Sequence, residues 1–274
     1  MSTVQTDPEE PRYALRLDEA EVDRYRMMAE QARAAEADLW ELAGIGPGAR
    51  VADVGCGPGA MLPALSGAVG PDGRVQAVDA DPGAVAAARA LAHAAGLANV
   101  EVAEGRADRT GLEPGSLDVV MLRHVLAHNG GAEDAIVAHL ATLVRPGGCL
   151  YLVDADGTAM RTLPEHADLT DLSDRYAAFR AARGDDNRAG LRLADRLVRA
   201  GLEVVEFRGR YMIGNLPPGV RPLGWAAREA MLVAGLATEA DVGRWDRAFQ
   251  ELEAAPVRPT VFAPFFTAVG RRPK

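Results

Sequence analysis

The stretch that decides the fold is VADVGCGPG, residues 51–59, in which a short apolar run leads directly into three closely spaced glycines. Apolar runs of this length are typical of buried parallel strands, and glycines after a strand allow a tight turn into a helix. The backbone N–H groups at the start of such a helix attract polar and anionic ligand groups. The stretch therefore predicts a strand, a ligand-binding turn and a helix, in that order.

The alternation of strands and helices continues on the carboxyl side of this turn. Strands are predicted at 50–54, 74–79, 100–103, 117–122, 149–154, 202–207 and 260–269. Helices are predicted at 60–69, 82–96, 132–144, 169–179 and 191–200, with two more near 225–234 and 240–252. Strands that alternate with helices pair in parallel through right-handed crossovers. We therefore expect an α/β fold with a doubly wound, mostly parallel, seven-stranded sheet, in which Pro264 marks an edge strand or a bulge.

The amino-terminal segment differs from this pattern. Residues 1–12 are polar and predict a mobile arm. Asp18 and Glu21 have the spacing of a capping box, and a helical apolar pattern that includes Leu42 follows and ends at Gly44. No low-complexity linker divides the chain, so we expect one domain over residues 1–274. Its parts are the helices of 1–44, a ligand-binding core at 45–155, and acceptor-side helices and last strands at 156–274.

Composition and charge exclude several classes of protein. The chain has 274 residues, of which 48% are apolar and 25% charged, and its net charge is -9. That charge argues against a nucleic-acid-binding surface, and no stretch approaches the roughly 18 apolar residues of a spanning helix. The first residues lack a secretory profile, so we expect a cytoplasmic protein. Cys56 and Cys149 fall at opposite ends of parallel strands and predict no disulfide, and we expect no metal site.

The spacing of an acidic residue indicates the class of ligand. Asp79 closes the second predicted strand twenty residues after Gly59, where doubly wound proteins place a carboxylate on ribose hydroxyls. An adenosine-containing ligand is therefore predicted. The pattern from Gly55 to Ala60 also satisfies the dinucleotide fingerprint, which keeps a NAD-dependent oxidoreductase as an alternative. The third glycine, the acidic Asp53 before the turn and the helix before the first strand favour another ligand.

These features together resemble the class I S-adenosylmethionine-dependent methyltransferases. The closest likeness is to the small-molecule branch of ubiquinone and menaquinone biosynthesis and of bacterial natural products. The residues that carry it are VADVGCGPG, Asp79, Asp118 at the start of the fourth strand, and RPGG at 145–148. The resemblance covers residues 40–155 and, in part, 186–210. It implies a Rossmann-like sheet with an antiparallel last strand, a helical lid and a carboxyl-terminal helical insertion.

The resemblance also implies the ligand contacts. Gly55, Gly57 and Gly59 would lie beneath the amino-acid moiety of S-adenosyl-L-methionine, and Asp79 would hold its ribose. Many relatives have an acid where this chain has Arg106, which leaves Asp108 as the substitute partner of the adenine. The implied cofactor-binding set is Asp53, Gly55, Cys56, Gly57, Gly59, Asp79, Ala80, Arg106, Ala107, Asp108, Leu122, Arg123, Tyr13 and Met28, with Tyr25 beside Met28 in the lid.

Methyl transfer requires alignment and a dry site, and it requires a general base only where the acceptor loses a proton. His128, just beyond the fourth strand, is the first candidate for that base, and His124 and Asp154 are the others. Each of them has an alternative role in bracing its own loop. The expected partner is a small, partly apolar methyl acceptor that is methylated on O or C, with S-adenosyl-L-homocysteine as the second product. A fold member that holds the cofactor without methylating remains an alternative, and residues 215–258 are the candidate contact element of a homodimer.

Overall fold

The structure is a computed structural model that describes residues 29–30, 32–215 and 219–274. The strands in this part of the chain are β1 (Arg50–Val54), β2 (Arg74–Asp79), β3 (Val100–Glu104), β4 (Leu117–Arg123), β5 (Val144–Ala155), β6 (Arg161–Leu163), β7 (Glu203–Asn215) and β8 (Thr260–Arg271). The α-helices in the same part are α1 (Ala37–Ala43), α2 (Leu62–Val69), α3 (Pro82–Ala94), α4 (Glu133–Leu143), α5 (Ala167–Ala182), α6 (Leu193–Arg199), α7 (Leu223–Ala226), α8 (Arg228–Val233) and α9 (Glu239–Ala254). None of the described helices is both long enough and apolar enough to cross a membrane.

All eight described strands belong to one sheet, in the order β3-β2-β1-β4-β5-β8-β6, with β7 paired to the other side of β8. The strands β1 to β5 are parallel, and β8 runs antiparallel to β5 and β7. The chain winds outward from β1 in both directions, so β1 and β4 are neighbours although two strands separate them in sequence. Ligands of doubly wound sheets bind beyond the carboxyl ends of the strands at such a switch point. The doubly wound prediction is confirmed, including the antiparallel last strand.

Alternate residues of the strands point to opposite faces, and each face has its own apolar core. The front face is the one to which Val51 and Met121 point, and α1, α2 and α3 cover it. The back face is the one to which Ala52 and Leu122 point, and α4 and α6 cover it. Because side chains alternate in this way, the parity of a strand residue decides which set of helices it contacts.

A third apolar cluster lies outside the sheet, among α5, α7, α8 and α9. Trp245 is its largest fully buried side chain. Thr238 and Asp241 form a capping box at the start of α9, in which each side chain bonds to the backbone N–H of the other residue. Of these helices, α7, α8 and α9 build the insertion predicted between the last two strands, which has one more short helix than expected.

The local predictions are confirmed at several boundaries and wrong at others. The bounds of β1 and β2 agree with the prediction, Asp81 caps α3, and both cysteines are free. The predicted capping box at Asp18 lies outside the described residues. Leu42, which was expected on the buried face of its helix, is exposed.

The largest correction concerns the carboxyl-terminal strands. The sheet of the described residues has an eighth strand, β6, which lies between the predicted strand at 149–154 and the predicted helix at 169–179. The strand β7 continues to Asn215, because β8 offers it a pairing partner along its whole length. Pro264 does not lie on an edge strand. It lies opposite the junction where β5 has ended at Ala155 and β6 has not begun, so its missing N–H interrupts neither ladder.

Candidate active site

The glycine turn after β1 lies at the switch point and combines close packing with open space. All three glycines have positive φ angles, at 71° for Gly55, 54° for Gly57 and 85° for Gly59. A Cβ on Gly55 would come within 2.3 Å of Val125 Cγ2, and one on Gly59 within 3.1 Å of the Ala88 backbone. A Cβ on Gly57 would meet nothing within 4 Å. The outer glycines therefore allow the turn to pack, and the middle one faces room for a ligand.

Asp79 connects the ends of β1 and β2. Its Oδ2 accepts a hydrogen bond from the backbone N–H of Gly57 at 2.8 Å, and its Oδ1 accepts one from the N–H of Asp81 at 2.9 Å. A carboxylate has about four acceptor positions, so two remain available on this half-buried side chain. Asp79 thus shapes the glycine turn and still offers lone pairs to a ligand above it.

Asp53 is a buried carboxyl without a hydrogen-bond partner on its Oδ2 among the described residues. Burial raises its pKa to about 7, with a further increase from Asp79 and an opposing effect of the Arg123 guanidinium. Buried polar atoms are normally satisfied, so this oxygen, close in sequence to the glycine turn, is a candidate acceptor for a ligand group. The Cys56 thiol next to it is buried, and desolvation raises its pKa well above the usual range, which leaves it unreactive.

The sequence analysis did not single out Glu36, which lies fully buried on the front face. Its carboxylate accepts hydrogen bonds from Arg123 Nη1 at 2.6 Å, the Tyr151 hydroxyl at 2.7 Å and Arg210 Nη2 at 3.0 Å. Burial alone would raise its pKa, but Arg123 and the other donors lower it to about 2. These partners are 87 to 174 positions away in the sequence, so no local pattern indicated the cluster.

Residues 106–108, the segment expected beside the adenine, contain an ion pair between their first and last residues. Arg106 donates from Nε and Nη2 to the two carboxylate oxygens of Asp108, at 2.9 and 3.0 Å. The hydrogen bond from Arg106 lowers the pKa of Asp108. Asp108 is therefore ionised and shared with Arg106, and the Ala107 backbone amide lies between the two. The resemblance did not predict this pairing.

Leu122 and Arg123 separate at the end of β4 because their side chains point to opposite faces. Leu122 is buried in the back-face core, and Arg123 is held by Glu36 on the front face. Both side chains are engaged in these contacts, which leaves their backbone to line a ligand at the end of β4. Asp118 lies at the other end of the strand. Its carboxylate accepts hydrogen bonds from the Arg50 backbone N–H and the Arg145 side chain, at the edge of the sheet opposite the glycine turn. The lid residues Tyr13, Tyr25 and Met28 lie outside the described residues.

Comparison with known proteins agrees with this geometry. Residues 51–148, which run from β1 into β5, match the family model described as a methyltransferase domain. A comparison with curated proteins finds no match.

Solved methyltransferase structures resemble the chain beyond this domain. One is an S-adenosylmethionine-dependent methyltransferase from Aquifex aeolicus, with 20% identity over 68% of this chain and 90% of that one, and a TM-score of 0.51. Another is a methyltransferase from Bacillus halodurans, named only by that activity. It has 20% identity over 88% of this chain and 100% of that one, and a TM-score of 0.58. A third is phosphoethanolamine N-methyltransferase 2 from Haemonchus contortus in complex with S-adenosyl-L-methionine. It has 17% identity over 87% of this chain and 52% of that one, and a TM-score of 0.52. At these identities the likeness shows the class I methyltransferase fold.

Two of the base candidates, His124 and His128, lie in the loop after β4, and the third, Asp154, lies near the end of β5. His128 ends a 3-10 turn, and its Nδ1 lies 3.8 Å from the Asp185 carboxylate, which also pairs with Arg180 Nε at 3.2 Å. Asp154 is fully buried and accepts from the backbone N–H of Ala127 at 3.0 Å, and from that of the residue after it. Burial raises the pKa of Asp154, and these two N–H groups oppose the increase.

Asp154 therefore has the contacts of a residue that braces the loop. His128 is partly exposed, with 22% of its side chain accessible. His124 differs from both because it has a φ of 57°, which is uncommon for a residue other than glycine. Its ring meets the Phe265 ring edge-on, with the centroids 5.3 Å apart. No group of three metal-ligating side chains occurs in the described part of the chain.

Proposed function

We propose that this chain is an S-adenosylmethionine-dependent methyltransferase that acts on a small, partly apolar metabolite by O- or C-methylation. The observation that carries the proposal is the glycine turn at the switch point, bonded to the acidic residue that ends β2. The methyltransferase-domain match over the same elements supports it. The fold also agrees with that of a methyltransferase whose solved structure holds S-adenosyl-L-methionine.

The residues of the turn fit such a donor. Gly55 and Gly59 leave no room for a Cβ, so the turn packs closely against Val125 and Ala88, and Gly57 faces open space in which a ligand can approach the backbone. The unsatisfied Oδ2 of Asp53, two residues before the turn, suits the ammonium group of an amino-acid moiety. Two acceptor positions of Asp79 are left for a pair of ribose hydroxyls. The turn thus offers groups of the right polarity to both parts of the molecule.

The donor, when bound, supplies an electrophilic methyl group on a sulfonium centre. In this proposal Asp79 and the adjoining Ala80 hold the ribose, and Asp53 and Cys56 lie under the amino-acid moiety. The Ala107 amide and the Asp108 carboxylate bind the adenine, and Arg106 fixes the orientation of Asp108 through its two hydrogen bonds. The backbone at Leu122 and Arg123 borders the methionine end.

The acceptor is placed beyond the carboxyl ends of β4 and β5 in this proposal. His128 removes a proton where the acceptor must lose one, and Asp185 restricts its ring. His124 lines the acceptor, and Asp154 positions the loop through the Ala127 amide. A small acceptor suits the acidic chain better than a nucleic acid, because phosphate binding requires a basic surface. We place the reaction in the cytoplasm and assign the homodimer contact, if one forms, to residues 215–258.

Calorimetry with S-adenosyl-L-homocysteine tests the donor site, with NADH as the competing ligand. We expect heat from the first ligand and none from the second. Asp79→Ala should weaken that binding by more than about tenfold, because hydrogen bonds to a charged group are lost. Asp72→Ala, in the exposed turn at the other end of β2, is the matched control and should bind like the wild type.

Transfer of a labelled methyl group to candidate acceptors then separates a methyltransferase from a fold member that keeps the cofactor without methylating. Binding of NADH alone would refute the donor assignment. Donor binding without label transfer to any acceptor would favour the non-methylating alternative.

A further inference from the structure

The front-face cluster around Glu36 contains more positive than negative charge. Among the described residues, Arg123 and Arg210 form ion pairs with one carboxylate, that of Glu36. Asp53 is the next acid toward Arg123, and it is half protonated near neutral pH because its pKa is about 7. Arg123 makes two bonds to Glu36 and Arg210 makes one, so Arg210 is the less neutralised guanidinium.

The register of the sheet places Arg210 at its carboxyl edge. Arg210 lies opposite Phe265 on β8, and Phe265 lies opposite Ala155, the last residue of β5. This row is two residues beyond the row that contains Arg123. Arg210 and Phe265 therefore border the space beyond β4 and β5 on the front face, where the acceptor is placed in the proposed function.

Arg210 has the surroundings of a binding residue. Its Nε is buried with no hydrogen-bond partner among the described residues, while its side chain as a whole keeps 27% of its surface exposed. Its guanidinium carbon lies 5.8 Å from the centre of the Phe265 ring. That ring meets His124, whose left-handed backbone conformation costs free energy that the surroundings must offset. A partly neutralised cation, an aromatic ring and a strained histidine thus converge at one edge.

We infer that Arg210, Phe265 and His124 form the acceptor subsite, and that the acceptor is a planar molecule with an anionic oxygen, either a carboxylate or an ionised phenol or enol. This inference rests on the proposed methyltransferase function. The planar, weakly hydrated guanidinium of Arg210 pairs well with such an oxygen. The Phe265 ring offers an edge-to-face or offset contact to a conjugated ring. Arg210 here is a specificity-determining residue that selects the anion, and no proton is assigned to it.

The test measures binding of probe acids to the complex of the protein with S-adenosyl-L-homocysteine, by ligand-observed NMR. The carboxylate arm compares benzoate with neutral benzamide, and the phenolate arm compares ionised 4-nitrophenol with neutral 4-nitroanisole. In at least one arm the anion should bind at least about tenfold more tightly than its neutral partner, the difference expected for one charged hydrogen-bonded pair. The arm that shows the preference identifies the source of the anionic oxygen.

Variants assign the preference to Arg210. Arg210→Met should lose it, and Arg210→Lys should recover part of it because the charge remains. Arg208→Met is the matched control, since Arg208 is on the same strand and face but pairs with Asp38 and lies two residues farther from the edge. It should bind the probes like the wild type.

Equal binding of anions and neutral partners, no anion binding in either arm, or an unchanged preference in Arg210→Met would each overturn the inference. Binding of S-adenosyl-L-homocysteine is measured first in every variant. Its absence in the wild type would refute the proposed function, and its presence with no anion preference would refute only the acceptor subsite.

Discussion

Replacing Glu36 by glutamine should destabilise the protein strongly, because the side chain keeps its shape and loses its charge. Glu36 is fully buried, and its carboxylate binds Arg123, Tyr151 and Arg210. Glutamine would leave two guanidinium groups without a counter-charge, and Arg123 is only 9% exposed. The segment before α1 would then lose its main polar attachment to β4, β5 and β7.

Two arguments give the size of this effect. The pKa of Glu36 falls from 4.5 to about 2 on folding, which corresponds to about 3 kcal/mol of stability at neutral pH. Removing one partner of a buried ion pair costs about 3–5 kcal/mol in other proteins. A loss of this size lowers the melting temperature of a chain this long by roughly 5–9 °C.

Urea unfolding of the wild type and Glu36→Gln between pH 7 and pH 2 measures the effect. A lowered pKa means that the stabilisation is complete above pH 4.5 and is lost as the pH falls toward 2. The difference in free energy of unfolding should therefore be largest at neutral pH and approach zero at the acid end. Glu41→Gln, on the exposed side of α1, is the control and should change stability by less than about 0.5 kcal/mol. A Glu36→Gln protein within about 1 kcal/mol of the wild type at pH 7, or a difference that does not shrink in acid, would refute the reasoning.

Three further predictions concern the turn, the insertion and the loop after β4. Gly55→Ala should destabilise the fold by about 1–3 kcal/mol in thermal unfolding, because its Cβ meets Val125. Gly57→Ala meets no atom, so it should lose S-adenosyl-L-homocysteine binding in calorimetry while costing less stability than Gly55→Ala; the reverse order would contradict the assignment of the open space. Thr238→Ala removes the capping box of α9 and should cost about 1 kcal/mol in urea unfolding, and no loss would show that the cap is dispensable. His128→Ala should lower kcat by about 10²–10⁴-fold with donor affinity unchanged if His128 is the base, and a small effect would leave it a loop-bracing role.

Short-range patterns predicted the elements that neighbouring residues decide. The strand at 50–54, the glycine turn and the cap at Asp81 depend on apolar runs, positive φ angles and side chains two or three positions away. The acidic end of β2 was predicted by its distance from the turn, and Asp79 lies bonded to Gly57. His128 and Asp154 were recognised as base candidates, but the contact of His128 with Asp185 and that of Asp154 with Ala127 were not predicted.

The sequence by itself determined the alternation of strands and helices from β1 to β5 and the position of the glycine turn beside Asp79. Only the tertiary structure decided the length of β7, the place of Pro264, and the cluster in which Glu36 joins Arg123 and Arg210. The physical reason is how far apart the interacting residues are in the sequence. A turn or a helix cap is stabilised by residues a few positions apart, whereas a strand in an antiparallel pair or a buried carboxylate depends on partners that only the folded sheet brings together.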